Sequence, residues 1–165
     1  MTDLRRGEPG RFIVTLLTAE GQPAGMGFLA GADQIVTCAH VVNVALGRDP
    51  RSQEMPTQSV TAEFPLLGGG TAGVDAWVER WLAPPRAGAA GDDIAGLRLD
   101  GGELPEGAAP AVLATGVVRP DQAVDVFGYP QAPRRPDGAW VEAVTRGSVS
   151  GGRLQVEAAP VSRMP

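Results

Sequence analysis

The sequence predicts an all-β protein, a barrel or sandwich of short strands. Three observations carry this. The 23 Gly and 15 Pro are scattered through all 165 residues and punctuate short apolar runs from end to end. Several of those runs are β-branched or alternate with a period of two, as half-buried strands do. No stretch of length shows the 3.6-residue period of an amphipathic helix.

The elements follow in order. RFIVTLLT (11–18) reads as a strand, and EGQPAG after it as a turn. GMGFLA (25–30) reads as a second strand, GADQ as a tight turn, and IVTCAH (35–40) as a third. The one helix candidate is the short AHVVNVALG (39–47). The polar loop GRDPRSQEMPTQ (47–58) is expected at the surface. SVTAEFPL (59–66) and VDAWVERWL (74–82) alternate and predict two more strands. APPRAGAAGD (83–92) reads as a connector into Asp93, and DIAGLRL (93–99) as a strand. GGELPEGAAP (101–110) reads as a linker, near which one sub-barrel would give way to another. AVLAT (111–115), AVDVFGYP (123–130), AWVEAVTRGSV (139–149) and RLQVEA (153–158) complete the strands. No internal repeat is visible.

Charge and cysteine content exclude several classes. The net charge is −5, and all 14 basic residues are Arg, with no clustered basic face for phosphate. Nucleic acid is therefore not an expected partner. A single Cys rules out an internal disulfide. MTDLRRGEPGRF has no apolar core after its two Arg, so no signal peptide is expected. No apolar run approaches the ~20 residues of a membrane-spanning helix. The expectation is a soluble, cytoplasmic protein with no membrane partner.

IVTCAHVV (35–42) holds the only Cys and the only His, Cys38 and His40. A lone His among apolar residues has two readings, a satisfied core residue or a base aimed into a cleft from a strand end. Asp93 likewise could cap a turn or serve chemistry, as could Asp92 beside it. Cys38 reads as a small buried hydrophobe, and one Cys and one His are too few for a zinc site. Trp77, Trp81 and Trp140 read as core or rim packing. No metal and no organic cofactor is implied.

Four short motifs, in order, resemble those of the trypsin-like serine peptidases, including the HtrA-type branch. Gly25, Gly27 and Phe28 match a "GxGF" strand; Thr37, Ala39 and His40 match "TxAH". Asp93-Ile94-Ala95-Gly96-Leu97 matches "DIAxL", and Gly128-Tyr129-Pro130 matches "GYP" at a strand end. Thr145, Gly147, Val149 and Ser150 match "TxGxVS". The resemblance spans roughly residues 10 to 160. It implies a chymotrypsin-like double β-barrel. A tail (1–10) would precede a complete first barrel (11–105) and a partial second barrel (106–165). It implies His40 as general base and Asp93 as its orienter. A serine hydroxyl needs a base poised near neutral pH, and a carboxylate on the far ring nitrogen fixes the tautomer.

The nucleophile is the gap. The family's "GxSGxP" turn, which supplies both the serine and the oxyanion hole, is absent. Ser150 is the remaining candidate, but Thr145 to Ser150 already matches the strand that precedes the nucleophile loop. Beyond the short AVLAT run, only two candidate strands, 123–130 and 139–149, lie between Asp93 and Ser150 for a second barrel, too few to present it. Ser148 reads as a hairpin residue, and Ser162 lacks flanking glycines. The resemblance thus implies a serine endopeptidase whose nucleophile lies beyond this chain, acting on protein or peptide. The alternative is an inactive, protease-like module that binds a peptide or partner. Unpaired strand edges in the partial barrel would favour self-association.

Overall fold

The computed structural model of the chain describes residues 10–68, 73–87, 89, 91–113, 115–130, 135–149 and 153–158. Two compact units divide the chain, 1–112 and 113–165.

The first unit is a closed six-stranded barrel of strands β1 (Ile13–Leu17), β2 (Pro23–Leu29), β3 (Gln34–Thr37), β4 (Val60–Glu63), β5 (Val74–Leu82) and β6 (Ile94–Leu99). Around the barrel the order is β1-β2-β3-β6-β5-β4, every neighbour antiparallel. Closure leaves no sheet edge among the described residues of this unit. Alternation puts Ala76 and Val78 of β5, and Ala95, Leu97 and Leu99 of β6, into the interior. A bulge between Val78 and Arg80 breaks the alternation of β5. Val14, Leu16, Leu29, Ile35, Val42 and Phe64 complete the centre of the core. Each such fully buried side chain contributes about 1.5–3 kcal/mol.

One helix, α1 (Ala39–Ala45), caps the barrel directly after β3. The carbonyl of Cys38 starts it by accepting from the Val41 and Val42 amides, at 3.1 and 3.4 Å. Gly47, at φ 65°, ends it by donating to the Val44 carbonyl. Its buried Asn43 donates from Nδ2 to the carbonyls of Pro50 and Ser52, which pins the 47–58 loop.

Two expectations change. Residues 111–113 and 115 form no strand. Val112 is 98% exposed, so this apolar run has no partner face on which a strand would be worth forming. The 101–110 segment is fastened to the first unit rather than free. Leu104 and Ala108 pack on its core, and Arg11 donates from Nε to the Gly107 carbonyl.

The second unit holds a three-stranded antiparallel sheet, β7 (Ala123–Gly128), β8 (Ala139–Val149) and β9 (Arg153–Ala158), in that order. Thr145 of β8 is buried and satisfied: its hydroxyl donates to the Arg119 carbonyl at 2.6 Å and accepts from the Gln122 amide at 3.1 Å. Gly147 follows at a bulge with φ 106°, a conformation an L side chain rarely adopts. Phe127 packs edge-on to Tyr129, ring centres 5.8 Å apart, and tilted against Trp140 at 5.3 Å.

Candidate active site

The β3–β6 ladder builds the site. Thr37 of β3 pairs with Ala95 of β6. Because the strands run antiparallel, the residue two beyond Thr37 meets the residue two before Ala95. Accordingly the Ala39 amide donates to the Asp93 carbonyl at 3.4 Å. His40, next along in the first turn of α1, then lies beside the Asp93 carboxylate.

That carboxylate grips His40 twice. The His40 backbone amide donates to Asp93 Oδ1 at 2.8 Å, and His40 Nδ1 lies 2.5 Å from Asp93 Oδ2. An ionised carboxylate only accepts, so Nδ1 carries the hydrogen, and in the neutral ring Nε2 is then the acceptor. The His40 side chain is 47% exposed and that of Asp93 23%. The ring is therefore fixed at one nitrogen and open to solvent at the other, the arrangement a general base requires.

The flanking motif residues each have a physical task. A Cβ on Gly25 would come 2.6 Å from both methyls of Val41, one residue from His40. A Cβ on Gly27 would come 2.6 Å from the Val36 carbonyl oxygen. These glycines let β2 lie close to α1 and β3. Thr37 donates from Oγ1 to the Met26 carbonyl at 2.8 Å, locking β3 to β2 just before the site. Ala39 is fully buried, so a larger side chain would push α1 off the barrel.

Cys38 is not the buried hydrophobe expected; it is exposed. It occupies the junction between β3 and α1 in still-extended backbone (φ −82°, ψ 142°), where the alternation that buries Ile35, Thr37 and Ala39 turns its side chain outward. Partial desolvation, and secondly the nearby Asp93 carboxylate, raise its thiol pKa. A resting thiolate nucleophile is thereby disfavoured. Asp92 is exposed and shares in neither grip on His40. Trp81 packs at the edge of the core and donates from Nε1 to the Gln53 carbonyl at 2.9 Å, whereas Trp77 and Trp140 are largely exposed. Ser148 is a strand residue of β8 paired with Leu154. Ser150 and Ser162 lie outside the described residues.

A closed six-stranded barrel with a His–Asp pair at one end, followed by a second antiparallel sheet, defines the chymotrypsin-like class. The chain belongs to the trypsin-like peptidase domain family, whose model matches residues 25–162. Solved structures agree in fold. The Rv3671c protease of M. tuberculosis H37Rv, in an inactive form, aligns over 85% of this chain at 21% identity with a TM-score of 0.54. Neuropsin, a serine protease of mouse brain, aligns over 92% at 14% identity and 0.62. Deg5 aligns over 94% at 20% identity and 0.58. The chain spans 54% of the Rv3671c protease chain and 71% of each of the other two. No curated protein sequence matches it significantly.

Proposed function

We propose that this chain is the front part of a serine endopeptidase domain acting on proteins or peptides. His40 is its general base and Asp93 the orienter of that base. The nucleophilic serine and its oxyanion loop are supplied by sequence beyond residue 165, and this chain alone does not turn over substrate. The observation that carries the reading is the double grip of Asp93 on His40, through Nδ1 at 2.5 Å and the backbone amide at 2.8 Å.

The chemistry follows from the tautomer. His40 Nε2 takes the hydroxyl proton as the serine oxygen bonds to the scissile carbonyl carbon. The imidazolium so formed is stabilised by Asp93, which stays ionised. When the tetrahedral adduct collapses, the C–N bond breaks and Nε2 returns the proton to the leaving amine. Water then repeats the sequence on the acyl-enzyme, restoring the serine and releasing the acid.

A fluorophosphonate, which labels only an activated serine, tests this on the native protein. The expected result is an intact mass well above this chain's 17.0 kDa, with one adduct on a serine downstream of Pro165, lost in His40→Ala. A native protein that takes no adduct, or takes it on Ser150, would overturn the proposal.

A further inference from the structure

The end of the barrel that carries His40 and Asp93 holds a third donor. Cys38 Sγ, an imidazole nitrogen of His40 and a carboxylate oxygen of Asp93 all lie within 4.8 Å of one another. Counting Cys and His along the sequence finds only two ligands. The third is a carboxylate 53 residues away, delivered by the β3–β6 ladder.

We propose that Cys38, His40 and Asp93 form a binding site for a thiophilic divalent cation, zinc or its analogue cobalt. The site itself rests on this donor geometry. Its consequence for catalysis rests on the peptidase reading above.

The donor chemistry selects the cation. One sulfur and one imidazole nitrogen favour zinc-like ions over magnesium or calcium, which take all-oxygen shells. Three protein ligands with a fourth position open to water is the pattern of accessible zinc sites. Zinc bonds of about 2.0–2.3 Å place tetrahedral ligand atoms roughly 3.3–3.7 Å apart. The Nδ1–Oδ2 pair, at 2.5 Å, must therefore open by about 1 Å, and Cys38 must close by a similar amount. Side-chain rotation suffices, because Cys38 is exposed and the His40 side chain is 47% exposed. The backbone stays in place: Cys38 precedes α1, and Asp93 is tied to it by the Ala39 amide.

Charge works in the same direction. The Asp93 carboxylate within 4.8 Å of both other donors brings the negative charge that attracts a dication to this cluster. The step balances simply. The thiol gives up its proton to solvent as the sulfur–metal bond forms. The cation takes the place of the hydrogen between Nδ1 and Oδ2, and that hydrogen passes through solvent to Nε2. The loaded ring then carries N–H where catalysis needs an acceptor, so a bound cation switches the base off.

Cobalt titration of the 165-residue chain, followed by absorption, is the test. One equivalent of cobalt should raise a thiolate-to-cobalt charge-transfer band in the near ultraviolet, and zinc should bleach it by displacement. Cys38→Ser should abolish the band. The near-isosteric His40→Gln and Asp93→Asn should each weaken cobalt binding by roughly tenfold or more, with far-ultraviolet circular dichroism confirming that each variant is folded. No band up to millimolar cobalt would overturn the proposal. So would a band of undiminished affinity in folded His40→Gln, which would mean that the sulfur binds cobalt without its neighbours. Cobalt binding needs no nucleophile, so this outcome is independent of fluorophosphonate labelling.

Discussion

Asp93 holds a φ of 52°, in the left-handed region. Asp and Asn visit it more readily than other side chains, yet still against a cost of about 1 kcal/mol. The conformation turns the carboxylate back onto the chain that leaves β3, where both oxygens find donors on His40. Asn tolerates the same φ, so Asp93→Asn keeps the backbone and removes the charge. Its amide can donate to Nδ1, which stabilises the wrong tautomer. In the longer peptidase proposed above we expect Asp93→Asn to lower kcat by about 10⁴-fold with little change in KM or in urea midpoint. A fall in stability as large as the fall in activity would make Asp93 a structural residue only. At this scale the sequence was informative about His40 and Asp93 because "TCAH" and "DIAGL" are contiguous words. It was misleading about Cys38. An apolar neighbourhood suggests burial, but the strand's alternation, which buries Ile35, Thr37 and Ala39, puts Cys38 on the opposite, outer face.

The β3–β6 ladder converts two words far apart in the chain into one site, and the elements beside it explain the rest of the pattern. Gly25 of β2 makes room for Val41 of α1, the residue after His40. Gly25→Ala should therefore destabilise the barrel by roughly 1–3 kcal/mol, the cost of overpacking. The displaced α1 should also lower kcat in the longer peptidase proposed above, whereas Gly68→Ala, with no atom near its Cβ and no positive φ, should leave kcat unchanged. Urea melts and kinetics on the same variants check both. The strands that form were legible from alternation and β-branching, as in β1 and β5. The run at 111–113 and 115, which forms none, shows the limit of that reading. Val112 and its neighbours have strand-like composition, but a strand needs a partner edge and a face to bury, and composition carries neither.

At the scale of the molecule the two units differ in what holds them together. The first closes its sheet and fills it with a continuous core. In the second, only Ala143 and Thr145 are buried among the described residues, while Val126, Trp140, Val141, Leu154 and Val156 stay exposed. One edge of β7 and one of β9 are unpaired among the described residues. A sheet with that little core cannot repay its own ordering entropy. We expect slow hydrogen exchange through β1–β6 and fast exchange in β7, β8 and β9 in the monomer. Uniformly high protection across β7–β9 would contradict this division. The order of the strands was legible in the sequence, and the resemblance implied a partial second barrel with unpaired edges; which of its side chains stay exposed was not legible, because burial depends on which strands share a sheet.

The proposed chemistry depends on the orientation of one imidazole, and the chain has only one His. Nitrogen-15 NMR of His40 in the folded 165-residue chain at neutral pH, with and without Asp93→Asn, reports it without overlap. We expect a hydrogen on Nδ1, strongly downfield and protected from exchange, a bare Nε2, and loss of that signal in Asp93→Asn. A ring that averages between tautomers, or carries its hydrogen on Nε2, would contradict it.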